Sequence, residues 1–281
     1  MKLCIVTSQW RRPNLTKIIS EYYAKNFPEI TLIAVRSPGD EQHGVEGWNY
    51  EYYSNKPLSQ KFNAGFNLAK RYNPDAVILI GSTDLISTEL VEYYKQNYSA
   101  DSDHIIGLKD AYLYDVQSQD TLKIKGLIGM YDNWSIGLGR CFSRKVLDQC
   151  NWKPYFELEI DRGLDCNSMI ELKNRGFKEI VKPMSEMGVV VDIKTKQTLN
   201  KIEDWVGISD KAEKEIIFNT FPEAMEKVDK LRIDTSKFPE GMWDYVLTGK
   251  DPELGIKGAK IYLNKGVAIG LYGNGLIELP I

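Results

Sequence analysis

Histidine is scarce in this chain: its 281 residues include only two, His43 and His104. Neither has a partner at metal-ligand spacing, and both read as surface residues. Cysteine is also sparse. Cys4, Cys141, Cys150 and Cys166 are scattered without a CxxC pair, which argues against a thiolate metal site. Cys4 lies inside an apolar run, where a thiol behaves as a small hydrophobe. Such usage fits a reducing compartment, and a cytoplasmic location is expected. Long apolar runs are missing, since none approaches the ~18 residues needed to span a bilayer. The opening MKLCIVTSQW enters a strand pattern without the cleavage site of a signal peptide. No integral membrane contact is expected. Nor does one sign of charge prevail: 36 Lys+Arg against 39 Asp+Glu leave a net charge of −3, with no global pull on nucleic acid or anionic lipid.

What is present is an ordinary globular mixture, 43% hydrophobic and 27% charged, able to build a core without staples. The first half alternates apolar runs with helical spacing. Leu3–Thr7 reads as a strand, followed by Arg11-Arg12-Pro13 and a helix capped by Asn14 and running through Lys25. Ile30–Val35 and Tyr50–Tyr53 read as strands, Ser59–Tyr72 as a helix and Glu89–Tyr98 as another. Ala76–Ile80 is the continuous apolar run of a strand buried on both faces. Such alternation implies crossovers and a mostly parallel sheet, with ligands beyond the carboxyl ends of the strands. The loops Ser8–Pro13, Arg36–His43 and Gly81–Ile86 are therefore the places to look for chemistry.

The middle suggests antiparallel strands at Ile105–Leu108, Ala111–Val116 and Thr121–Ile128. Helices are expected at Ser143–Gln149 and Asn167–Arg175, the second ended by Gly176, with late strands at Ile180–Val181 and Gly188–Ile193. Two regions follow: residues 1–193 as the main α/β domain, and 194–281 as a helical region with a β-hairpin appendage. Strand-like runs in the latter are Lys260–Leu263, Val267–Leu271 and Leu276–Leu279.

The informative stretch is Asn55–Ser87, a helix carrying Lys61, Asn63 and Gly65 that leads to a buried strand ending in Gly81-Ser82-Thr83-Asp84. A nucleoside diphosphate needs a divalent cation across its phosphates, held by a carboxylate on a rigid element at the cleft mouth. Asp84 meets that need; capping the following turn is the alternative. Arg11 and Arg12 could pair with a diphosphate in forked geometry, or stand as two exposed arginines. A second acidic group, Glu157, Glu159, Asp161 and Asp165, precedes a helix, where Asp165 fits a helix cap and the other acids a solvated surface.

The order of strand, basic Pro-containing loop, second strand, Lys61–Gly65 (KFNAG) helix, and strand ending in Ser82-Thr83-Asp84 resembles A-type glycosyltransferases, especially the family 2 group. The likeness covers roughly residues 1–193. It implies an A-type nucleotide-binding α/β sandwich with a small α+β appendage. The implied activity moves a sugar from a nucleoside-diphosphate sugar, most simply a UDP-sugar, to a hydroxyl on a glycan or, less simply, a modified DNA base. Thr7, Gln9, Arg11, Lys61, Asn63 and Ser82 would line the donor pocket, and Asp84 would hold Mn²⁺ or Mg²⁺. Asp165, with Asp161 next in line, would be the base that takes the acceptor proton. The segment Gly137–Arg144, flanked by Trp134 and Trp152, would border the acceptor; both Trp also fit a packing role.

Two departures from the family pattern stand out. Arg36-Ser37 replaces the acidic residue at the end of the second strand, and Ser82 replaces the first carboxylate of the metal motif. The family's downstream histidine ligand is missing too. Asp192, with Lys194 two residues on and so on the same strand face, is the candidate for that place; an ordinary exposed pair at a strand end is the alternative. A carboxylate there suits hard Mg²⁺ or Mn²⁺. One rival is a nucleotidyltransferase that makes sugar nucleotides, which would want a Gly-rich loop near the first strand; Thr7–Pro13 has no glycine. A non-catalytic nucleotide- or glycan-binding protein is the other.

Overall fold

The computed structural model describes residues 1–38, 44–195, 202–232, 242–248, 257–258, 260–264, 267–268, 271–272 and 276–278. His43 lies outside them. The chain runs β1 (Leu3–Ser8), α1 (Pro13–Asn26), β2 (Thr31–Arg36), β3 (Trp48–Tyr52), α2 (Leu58–Lys70), β4 (Ala76–Ile80), β5 (Asp84–Ile86) and α3 (Thr88–Asn97). It continues through β6 (His104–Leu108), β7 (Ala111–Asp115), β8 (Thr121–Ile124), β9 (Cys141–Ser143), α4 (Arg144–Gln149), α5 (Leu164–Asn174), β10 (Lys178–Lys182), α6 (Met184–Met187) and β11 (Val190–Lys194). A 3₁₀ segment, Ile202–Ile208, precedes β12 (Ser209–Lys211), α7 (Glu215–Thr220), α8 (Pro222–Asp229), β13 (Met242–Leu247), β14 (Lys260–Asn264) and β15 (Ile277–Glu278).

The central sheet has the order β10-β6-β9-β4-β1-β2-β3 and is parallel except at β9, which runs antiparallel to β4 and β6. Successive side chains of a strand point to opposite faces. Accordingly Leu3, Ile5, Ile78 and Ile80 join one apolar cluster with α1 and α3, while Cys4, Val6, Val77 and Leu79 join another with α2, α4 and α5. Helices cover both faces, and this is why β1 and β4 read as unbroken apolar runs. The protein is a mixed α/β fold around a mostly parallel sheet.

A second sheet, β12-β8-β7-β11-β5, leaves the first where β4 turns into β5. The antiparallel strands expected in the middle of the chain divide between the two sheets. Ile105–Leu108 lies in the central one, parallel to β10. β9 and β5, three residues each, are too short to show a period. Asn14 does not cap α1: Arg12 takes the N-cap, and Pro13, with φ already helical, opens the helix.

Part of the region after residue 193 joins the main core. Phe221, Met225 and Val228 pack into the α1 side of it, and the expected division falls inside β11. The appendage is a three-stranded antiparallel sheet, β14-β13-β15, around Tyr245, Leu247, Ala268 and Ile277. Val267, Ala268, Leu271 and Tyr272 lie in helical turns rather than a strand. Among the described residues no helix is long and apolar enough to cross a membrane.

Candidate active site

The carboxyl ends of β1 and β4, the start of α5 and the edge where β5 meets β11 surround a cleft of about 1460 Å³. Its floor begins at Ile80. The chain turns through Gly81-Ser82-Thr83 and re-enters a strand at Asp84, which is buried along with Ser82 and Thr83. The Gly81 N–H donates to Asp84 Oδ2 at 2.5 Å, and the Tyr23 hydroxyl donates to the Asp84 carbonyl at 3.0 Å. β11 runs antiparallel to β5 with Asp192 directly opposite Asp84. Directly opposed residues share a face, with Cβ atoms about 4.5–5.5 Å apart. Thr83 Oγ1 donates to Asp192 Oδ1 at 3.1 Å. Burial, and then the charges of Asp192 and Asp165, hold the Asp84 carboxyl well above the ordinary carboxylate range. The Gly81 N–H and Lys194 act against that shift without cancelling it.

Asp165 reaches the same cleft from the first turn of α5, after Gly163 in the left-handed conformation at φ 65°. Its carboxylate rests on the backbone of Gly137: a methyl group added there would lie 1.9 Å from Oδ1. Only glycine leaves that room. Behind it, Arg140 donates to Ser135 Oγ at 2.9 Å and to the Ser135 carbonyl at 2.9 Å, and lies 3.5 Å from Ser168 of α5. Glu179, as buried as Arg140, accepts from Ser135 Oγ at 2.6 Å and lies 3.3 Å from Lys173. This network ties the Gly137 loop to α5 and so fixes where Asp165 stands.

Four of the residues expected in the donor pocket do not line the cleft. Thr7 is buried, and its hydroxyl makes no hydrogen bond among the described residues. Gln9 bridges Ser20 (3.1 Å) and Arg36 (3.1 Å). Lys61 is fully buried and donates to the Gln9 carbonyl. Asn63 donates to the Phe156 carbonyl at 2.9 Å and accepts from the Tyr155 N–H at 3.2 Å, clamping the loop before α5. A Cβ at Gly65 would meet Val6 at 2.6 Å and Val35 at 2.8 Å. The KFNAG stretch thus seats α2 against the sheet and holds two loops.

The rest do reach the cleft. Arg11, Arg12 and Ser82 line it, and Ser82 accepts from Arg12 at 2.7 Å. Asp161 lines it too, but accepts the first N–H of α2, from Leu58, at 2.9 Å and lies 3.6 Å from Lys56. There it caps that helix. Trp152 is buried against Asp148, and Trp134 sits under Lys173; neither lines the cleft. Arg36 is buried with its guanidinium 3.5 Å above the Tyr50 ring. His104 lies beside Asp103 and away from the cleft. Sequence reasoning passed over Trp10 and Trp205, which line the cleft. For Trp10 a signal existed, since it falls in the loop after β1.

No family model matches the chain, and no curated protein matches its sequence. Among solved structures it is similar to the bifunctional IspDF from Campylobacter jejuni, at 11% identity and TM-score 0.44 over 75% of this chain and 55% of that one. The chain therefore spans about half the length of that protein. It is also similar to the inositol-1-phosphate CTP transferase from T. maritima, at 15% identity and TM-score 0.43 over 83% and 98% of the two chains. A third likeness is to the mannose-1-phosphate geranyltransferase from Thermus thermophilus, at 11% identity and TM-score 0.34 over 69% and 74%.

Proposed function

We propose that the cleft binds a nucleotide-linked sugar and transfers the sugar to an acceptor hydroxyl. The observation that carries this reading is the separation of two carboxylate functions. Asp84 and Asp192 oppose each other across β5 and β11, while Asp165 enters from α5 on a different wall. A hydroxyl acceptor must lose a proton as it attacks, so it needs a base. Asp165, held on Gly137, is that base in this reading, and Arg11, Arg12 and Ser82 face the phosphates.

The paired carboxylates fit a divalent ion. Among the described residues no three His, Cys, Asp or Glu side chains are grouped to hold a metal by themselves. Magnesium, however, takes one or two carboxylates and completes its shell with water and substrate phosphates. Two hard oxygen donors whose like charges crowd each other match that habit. Asp84 and Asp192 would hold Mg²⁺ or Mn²⁺, which would offset charge on the diphosphate leaving group.

A second reading, nucleotidyl transfer to a sugar phosphate, gains from one observation. The loop after β1 has no glycine, yet Arg11 (φ 53°) and Arg12 (φ 63°) both adopt the left-handed backbone that glycine usually supplies. A phosphate nucleophile is already ionised near neutral pH and needs no base. One experiment separates the two. The protein is incubated with a panel of UDP-, GDP- and CDP-sugars, and in parallel with nucleoside triphosphates plus sugar 1-phosphates. Release of nucleoside diphosphate supports glycosyl transfer, release of pyrophosphate supports nucleotidyl transfer, and neither product with any donor removes the enzymatic reading.

A further inference from the structure

Lys194 holds an unusual place in this cleft. It closes β11 two residues beyond Asp192, so both side chains leave the same face of the strand. Its Nζ lies 2.5 Å from Asp192 Oδ2. Lys194 is 3% exposed and Asp192 24%, yet both line the cleft. The Trp205 ring lies 5.9 Å from the ammonium. An ammonium this buried is tolerated only while it is paired, because removing the partner strands a charge away from water. One oxygen of Asp192 is thus committed to Lys194 and the other to Thr83.

A divalent ion arriving alone must part Lys194 from Asp192 and leave the ammonium stranded. A diphosphate arriving alone meets the carboxylates of Asp84 and Asp192. Arriving together, each removes the other's cost: the ion takes Asp192, and the freed ammonium takes a phosphate oxygen. We propose that Lys194 is a resident cation, displaced from Asp192 by the metal and accepted by the diphosphate, so that metal and diphosphate bind as a coupled pair. This rests on the reading of the cleft as a nucleotide-diphosphate site. Coupling of this kind is reciprocal, and each ligand must tighten the other by the same factor.

The test uses the full chain, with Mn²⁺ binding followed by the paramagnetic resonance signal of the free ion, with and without inorganic pyrophosphate, and pyrophosphate binding by calorimetry. Wild type should bind Mn²⁺ weakly alone and about ten- to a hundredfold more tightly when pyrophosphate is present, after correction for Mn²⁺ bound to pyrophosphate in solution. Lys194→Met, close in volume, should bind Mn²⁺ alone about tenfold more tightly than wild type and lose most of the coupling. Lys194→Arg keeps a cation and should leave Mn²⁺ affinity near wild type. Adding Asp192→Asn to Lys194→Met should abolish the gain. Mn²⁺ affinity that is unchanged or lower in Lys194→Met, or equally raised in Lys194→Arg, overturns the proposal and leaves the nucleotide reading standing. Failure of pyrophosphate and UDP to bind wild type, with or without Mn²⁺, removes both.

Discussion

The polar residues of α2 and those at the strand ends differ sharply in what they do. Lys61 and Asn63 sit inside a helix that packs tightly on the sheet, and their polar atoms hold the Gln9 carbonyl and the Tyr155–Phe156 loop. Ser82, Thr83 and Asp84 sit where the chain leaves the central sheet for β5, the edge strand of the second, Asp192 lies opposite Asp84 on β11, and they face the cleft. A buried polar group must be satisfied, and within a packed layer the available partners are neighbouring loops. Where β4 turns into β5 and β5 meets β11, side chains reach the cleft instead. Position in the fold separates the two groups; residue type does not.

Breaking the strand-end group should have the largest effect. Asp84→Asn should lower turnover on the order of 10³-fold, ~4 kcal/mol of transition-state stabilisation. Near-normal turnover at saturating Mn²⁺ would take Asp84 out of the site. The same change should leave the ligand-free protein more stable. The folded chain holds the Asp84 proton more tightly than the unfolded chain does. The contribution of Asp84 to stability is therefore greatest below the ordinary carboxylate range and is lost as pH rises through its raised value. Melting curves of wild type and Asp84→Asn between pH 5 and 8 should diverge upward in pH, with the variant higher.

Asp165→Asn should cost about 10²-fold in kcat with donor affinity held. Collapse of donor affinity with kcat intact would make Asp165 a binding residue. In the scaffold group, Asn63→Ala should cost stability first: about 2 kcal/mol, or roughly 4–8 °C in Tm. The protein that stays folded should keep its donor KM, and a raised KM at unchanged Tm would return Asn63 to the donor pocket. The smallest effect should come from Asp161→Ala, about 1 kcal/mol from the lost cap of α2. Loss of turnover comparable to that of Asp165→Asn would reverse the order of the two acids.

The alternation of apolar runs and helical spacing was legible because helices bury β1 and β4 on both faces, and Ala76–Ile80 is a strand over those very residues. The pairing of Asp84 with Asp192 was half legible. The reasoning that residues two apart share a face placed Asp192 and Lys194 together, but their meeting with Asp84 depends on the register of β11 against β5. Such register is a long-range property, and β5 is too short to display any period. Asp165 was read from local sequence, whereas its seat on Gly137 joins distant parts of the chain through the Arg140 network. In the KFNAG stretch, Lys61 and Asn63 read as ligand-binding types in sequence, and only the packing shows that they are buried and what they hold.

The turn that carries Arg11 and Arg12 joins two properties that an engineer would want to adjust separately. A left-handed backbone costs a side-chain-bearing residue about 1–2 kcal/mol relative to glycine, and here two such residues follow one another. Glycine at either position would relax the turn and raise heat resistance, but it would also remove a guanidinium from the cleft wall, in one case the donor to Ser82. Selection for thermal tolerance alone should therefore drift toward glycine at positions 11 and 12, and selection for activity should drive it back.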